Sequence, residues 1–399
     1  MNEDSTDYET ERPQVAADNV DFFKDKVSRI MKGLVTPLLV LVHSIGLASS
    51  GLARDNQRPR NEPNVATITV EVDPRVELIG IVFRLAGNPE FNEGVFRGYV
   101  KDIERHFGDF DGHPAVKLAA RLRSTRQMSC DGPMSLAVHI DRDFRPRKAF
   151  QEWPWGLDSR WQKQETLEFL EKLRQFAAET KFNEFFKAHG ALYQTAIRSC
   201  EAVMAQHDLR TWLYEFFGVK GSDDLKLVLG FTNGFSNYGL GFTAGATREK
   251  YAIIAIHLFD PDGNPVFRPK QLATTAHEFC HSFANPIVDK YMDQLQPAGE
   301  KLYAAHASAM QRIGYQKWQS MMYESAVRAC VASFVRSAFE PIYLGYYLKE
   351  EAGYGFVWTE GLSDLLQTYE ANREKYATFE SFFPEFVTFF NKYSKKAEP

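Results

Sequence analysis

Residues 277–281 read HEFCH, two histidines four apart with a glutamate after the first, inside the run QLATTAHEFCHSFANP. On a helix advancing about 100° per residue, His281 falls about 40° from His277 and Glu278 about 100° from it, so both imidazoles share a face flanked by the carboxylate. Two neutral imidazoles so placed begin a zinc site. They hold Zn²⁺ at about 2 Å, a third protein ligand completes the set, and a fourth position stays open for water. Glu278 would then take the proton from that water as it attacks a carbonyl polarised by the metal. Five letters alone do not decide the matter, because a chance HExxH arises in about one or two chains of this length per hundred. The rest of the helix carries more weight. Leu272, Ala276, Phe279 and Phe283 fall opposite the histidines, so His277 and His281 point away from the apolar stripe on which a core histidine would lie. Cys280 flanks the pair on the other side and is assigned a structural role. Pro269 and Asn285-Pro286 bound an expected helix of about four turns.

The third ligand must come from downstream, where Glu300, His306 and Glu324 are the candidates. The helix expected over 318–339 places Glu324 in the middle of a stripe made by Met321, Val327, Val331, Phe334 and Val335. A carboxylate buried there without a cation is strongly destabilising. Arg328, one turn on, could answer it as a plain i,i+4 pair; Zn²⁺ answers it better, with Arg328 orienting the carboxylate. His306 shares an apolar face with Leu302, Ala309 and Ile313 and is the alternative ligand, while Glu300 beside Gly299 reads as a charge near a helix start. A group that stabilises a tetrahedral oxyanion is also expected. The loop read over 343–358, YLGYYLKEEAGYGFVW, supplies Tyr346, Tyr347 and Tyr354, and the glycines around Tyr354 favour it; aromatic packing is the other role open to each.

The elements that must position these residues are legible as patterns. ATITVEV (66–72) alternates like a strand, and VDPRVELIGIVFRLAG (72–87) carries an aspartate cap, Pro74 at the first helical position and Gly87 as a stop. Helical signals dominate to about Gly218: HPAVKLAARLR (113–123), the run 164–180 and the run 183–207. Short β-rich stretches with Asn-Gly and Gly-Leu-Gly turns follow, read as a three-stranded meander near 225–232, 238–244 and 250–258. Helices return from 269 onward. The expected class is α+β, mainly helical and zincin-like, with a small antiparallel sheet just before the HEFCH helix and a helical part over 66–218 continuous with a metal-binding part over 219–399.

At 399 residues, 44% apolar and 14% aromatic, the chain can bury a large core, and a net charge of −5 without any basic block argues against nucleic acid as a partner. Cys130, Cys200, Cys280 and Cys330 form no CxxC pair, which argues against a thiolate zinc site; two disulfides or four buried thiols remain open. Residues 31–53 begin Met-Lys, run apolar through Leu47 and end in small residues, the layout of a signal peptide, with residues 1–30 as an annotation extension and 54–65 as a linker. The alternative for 33–53 is an uncleaved membrane anchor.

HEFCHSFANP, with VDPRVELIGIVFRLAG, HPAVKLAARLR, YESAVRA (323–329) and TFESFFPEF (378–386), resembles a bacterial family of exported proteins known only as a domain of unknown function and presumed to be zincin-type metallopeptidases. The resemblance spans roughly 70–390. It implies a single catalytic domain of the gluzincin kind, HExxH plus a distant glutamate. Together these readings lead to the expectation of a secreted or periplasmic zinc-dependent hydrolase acting on peptides or proteins. The competing class is a non-catalytic exported binding protein whose zinc site is structural or vestigial. N-terminal sequencing of exported material is expected to find a chain beginning near residue 54; recovery of protein that retains residues 1–30 would contradict both the Met31 start and the cleavage.

Overall fold

The computed structural model describes residues 67–93, 97–221 and 223–396. The proposed extension (1–30), signal peptide (31–53) and linker (54–65) lie outside the described residues. The chain enters through β1 (Thr69–Glu71) and α1 (Pro74–Leu85). It continues through helices α2 (Arg97–Phe107), α3 (Pro114–Arg126), α4 (Asp131–His139), α5 (Lys163–Glu179), α6 (Phe182–Ala188), α7 (Gly190–Met204) and α8 (Leu209–Phe217). Strands β2 (Asp224–Gly230), β3 (Tyr238–Ala244) and β4 (Thr247–Ala255) follow. The last third is α9 (Pro269–Lys290), α10 (Met292–Arg312), α11 (Trp318–Ala338), α12 (Pro341–Gly353), α13 (Thr359–Ala371) and α14 (Phe379–Lys396). The protein is mainly helical with a four-stranded mixed sheet, and the described residues belong to one compact unit.

The sheet corrects the expected meander. Its order is β1-β2-β4-β3, with β1 and β4 both parallel to β2 and β3 antiparallel to β4. Composition explains why β4 and not β3 lies inside. Tyr251–Ile256 is an unbroken buried run that suits a strand covered on both faces, whereas Tyr-Gly-Leu-Gly of β3 has little to pack and suits an edge. The turn residues 231–237 carry the chain past the end of β4 before β3 comes back along its outer side.

Three other expectations need correction. The run 183–207 is broken at His189, where α6 ends and α7 begins, and the ring Nδ1 of His189 lies 2.9 Å from the Phe185 carbonyl oxygen. The stretch 343–358 is not a loop, because α12 occupies Pro341–Gly353, with Pro341 in its first turn. Nor does α9 stop at Pro286. The proline lacks the N–H that Ser282 O would accept, and Lys250 of β4 supplies a donor instead, with Nζ 3.3 Å from that oxygen. All four cysteines are free thiols; Cys200, Cys280 and Cys330 are buried and Cys130 is exposed. Among the described residues no helix is long and apolar enough to cross a membrane.

A buried carboxylate ties the first helix to the sheet. Asp73 caps α1 by accepting from Arg75 N at 2.8 Å, and one turn on Glu77 is fully buried. Its oxygens accept from the backbone N–H of Phe231 at 2.8 Å, just beyond β2, and from the Tyr99 hydroxyl at 2.8 Å, which lies 2.7 Å from that of Tyr193. Burial outweighs these bonds and pushes the Glu77 pKa up to about 7 from 4.5. Because the folded value lies above the unfolded one, the contribution is complete below pH 4.5 and is lost as pH rises through 7, a change of up to about 3 kcal/mol. Urea unfolding of Glu77→Gln at pH 4.5 and 7.5 is therefore expected to show a smaller loss of stability over that interval than the unsubstituted protein. Equal losses would place the titration elsewhere.

Candidate metal centre

Helix α9 lies against β3 and β4 on one side and α11 on the other. Arg268 N donates to Gln271 Oε1 at 2.9 Å and Pro269 fills the first turn, which fixes where the helix begins. Leu272, Ala276, Phe279 and Phe283 are buried on the packed side, while His277 and His281 are half-buried on the face turned to α11. Cys280 is fully buried, and burial holds its thiol well above the usual range, as suits a packing residue. Glu324 projects from the middle of α11 and is itself buried.

His277, His281 and Glu324 meet. The two Nε2 atoms lie 3.2 Å apart, His277 Nε2 is 3.4 Å from Glu324 Oε2, and His281 Nε2 is 3.4 Å from Glu324 Oε1. Two ligand atoms bound at about 2.0–2.1 Å to a tetrahedral ion sit roughly 3.3 Å apart, so the triangle has the right size for one cation. The donor chemistry agrees. Burial, against the pull of Glu324, lowers the His277 pKa to about 4 and leaves the imidazole neutral, as a ligand must be. Burial disfavours a charge on Glu324 too, yet Arg328 and the two imidazoles hold its carboxyl well below the usual range. Glu324 Oε2 has no aligned hydrogen bond despite its neighbours, an orphaned buried acceptor that a cation would satisfy. Among the described residues no fourth His, Cys, Asp or Glu joins the three.

Around this triangle the positioning contacts are specific. His281 Nδ1 lies 3.3 Å from Asn285 Oδ1, one turn on, which orients the ring. Arg328 Nη2 is 3.1 Å from Glu324 Oε2 and 3.4 Å from the Tyr315 hydroxyl, and its other arm, Nη1, pairs with Glu351 of α12. The guanidinium stacks 4.3 Å from the centre of the Phe356 ring. Glu278 is buried beside the triangle; burial and the nearby Glu324 push its carboxyl well above the usual range, against a hydrogen bond from Gly239 N–H.

Not every candidate is placed at the centre. His306 packs its ring edge-on against Trp358, and Glu300 is exposed and accepts from Gln296. The Tyr354 hydroxyl donates to Glu350 at 3.1 Å while its ring lies 5.8 Å from the Arg328 guanidinium; Tyr347 donates to Arg328 O at 3.1 Å, and Tyr346 is exposed. Sequence reasoning passed over Tyr315 and Glu351. A helical reading of 341–353 would have exposed the second, since Tyr347, Glu351 and Tyr354 recur at i, i+4 and i+7.

The edge strand closes the other side. Gly239 of β3 approaches so near that a Cβ there would stand 2.1 Å from the Glu278 carbonyl oxygen. Beyond it, β3 and the second half of α9 border a groove of about 470 Å³, lined by Gly241, Lys250, His281, Asn285 and Asp289 among others. Gly241 leaves it open, for a Cβ there would meet nothing closer than Glu249 O at 3.7 Å.

Residues 157–389, which include the whole triangle and Glu278, match a family described as "Domain of unknown function (DUF4932)". The chain belongs to that family. The match begins later than the resemblance read from sequence, which reached back to about residue 70. No curated protein and no solved structure matches the chain. The close approach at Gly239 is testable. Gly239→Ala forces backbone from backbone and is expected to cost about 1–3 kcal/mol, read by urea unfolding. An unchanged midpoint would mean that β3 and α9 do not meet in this way.

Proposed function

We propose that this protein is a zinc-dependent hydrolase that cuts peptide bonds, acting outside the cytoplasm as the signal-like segment 31–53 suggests. The single observation that carries the reading is the donor triangle of His277, His281 and Glu324, at separations of 3.2, 3.4 and 3.4 Å, with Glu278 buried beside it. Zinc bound there would supply a Lewis acid for a substrate carbonyl and lower the pKa of a water. The chain's own residues do the rest. His277 and His281 bind as neutral imidazoles, with His281 steadied by Asn285. Glu324 binds as a carboxylate held charged by Arg328. With the charge of a bound cation nearby to favour its ionised form, Glu278 would accept the proton of the attacking water and return it to the leaving amine. Tyr354 is retained as a candidate oxyanion donor, which would require its hydroxyl to leave Glu350.

Two features favour catalysis over a purely structural metal. Among the described residues the group stops at three ligands, which leaves a position for water. The groove beside His281 is bordered by an edge strand that, among the described residues, has no strand partner on its outer side, and such an edge can pair with an extended peptide. These features suit a gluzincin-like peptidase better than an enzyme for compact amides.

Separating the roles of two neighbouring residues tests the proposal. Glu278→Gln is expected to retain zinc while hydrolysis of a mixed peptide library falls by about two orders of magnitude or more. His277→Ala is expected to lose the metal, and a chelator to abolish activity until zinc is restored. Full activity in Glu278→Gln would overturn the mechanism.

A further inference from the structure

We propose that Glu351, on α12, is a positioning residue for the third metal ligand: it grips one arm of Arg328 so that the other arm holds Glu324 against His277 and His281. The inference rests on the zinc reading above and adds a residue that the HExxH pattern cannot reveal. The contacts run in one chain. Glu351 Oε2 pairs with Arg328 Nη1, Arg328 Nη2 lies 3.1 Å from Glu324 Oε2, and Glu324 reaches both imidazoles. Arg328 has little freedom to do otherwise. Its side chain is buried, Phe356 stacks on its guanidinium, Tyr347 donates to its backbone carbonyl, and Tyr315 flanks Nη2.

Charge explains why a second carboxylate is needed. A buried guanidinium answered by Glu324 alone would compete with a bound cation for the same carboxylate. With Glu351 present, Arg328 has its own counter-ion, and Glu324 can turn its orphaned oxygen to the metal. Glu324 and Glu351 bring two carboxylates to one guanidinium, so one negative charge is left over for a cation. With the Glu351 charge removed, Arg328 and Glu324 neutralise each other and none is left over. Metal affinity should therefore fall even though Glu351 is not a ligand.

The experiment measures zinc affinity of the full chain by competition with a chromophoric chelator. Glu351→Gln keeps the size and an acceptor but removes the charge, and is expected to bind zinc about 10- to 100-fold more weakly. Its zinc-free form is expected to unfold at a lower urea concentration, because Arg328 loses a buried partner, so zinc affinity is compared without urea, where both zinc-free proteins are folded. A merely structural role would lower the urea midpoint and leave that affinity unchanged. Glu350→Gln, next in sequence, is expected to keep full affinity, because Glu350 pairs with Lys270 and Tyr354 instead. Glu351→Asp keeps the charge but draws it back by one methylene, and an intermediate loss is expected. The proposal is overturned if Glu351→Gln binds zinc as tightly as the unsubstituted chain, or if Glu351→Asp does so where the glutamine variant does not fold. An unsubstituted protein that binds no zinc would instead overturn the zinc reading, and this inference with it.

Discussion

A carboxylate in an apolar helix interface is the constraint on which the site depends. Glu324 sits among Met321, Val327, Val331 and Phe334, all buried, where an ionised group without a partner is far more costly than the packing around it can offset. Everything nearby answers that charge. Arg328 approaches from one turn along the same helix, the imidazoles approach from α9, and Glu351 approaches from α12 to keep Arg328 from being spent on Glu324 alone. Helices α9, α11 and α12 are thereby locked at one point. Such a set is stable only when all its members are present, since removing one leaves an uncompensated charge in a dry place.

The sheet serves the same point from the opposite side of α9. The proposed metal site needs a rigidly held helix, and α9 is held by direct backbone approach where Gly239 meets Glu278. Further along, Pro286 would leave a carbonyl of the same helix bare, and Lys250 covers it while also pairing with Asp223 at 3.4 Å. Gly241, paired with Lys250 across the sheet, leaves the space beside it open. Glycines in an edge strand are poor for strand stability. Here they allow the strand to touch the helix at one end of the groove and to stand off from it at the other.

What was legible in the sequence follows from which interactions are periodic. The face of α9 that carries His277 and His281, and the buried position of Glu324, were readable because helical spacing fixes both. The first strand was readable from the alternation of 66–72, and the first helix from Asp73, Pro74 and Gly87. Strand order was not, because pairing depends on which strand can be covered on both faces, and the turn residues between β2 and β3 are compatible with a hairpin or a crossover. The glycines of 343–358 suggested a loop where α12 forms, and so concealed Glu351. Pro286 suggested an end where a lysine from another element repairs the break. For the strand order and for Pro286 the deciding partner is remote in sequence and obeys no period.

The proposed function takes the site as working and not merely structural, and the open space beside it supports that choice. A metal used only to hold helices together needs its ligands enclosed, and nothing in such a role calls for open space beside them. Here Asn285 steadies His281 on the side facing the groove, and the groove continues along α9 to Asp289 with no side chain from Gly241 to fill it. Opposite, Glu278 is buried with its acidity weakened by its surroundings, a costly arrangement for a residue that only packs. A buried carboxyl that resists ionisation beside three converging donors, with a groove reaching one of them, is hard to account for by stability. The proposed proton transfer would account for the carboxyl, and an extended substrate for the groove that reaches His281.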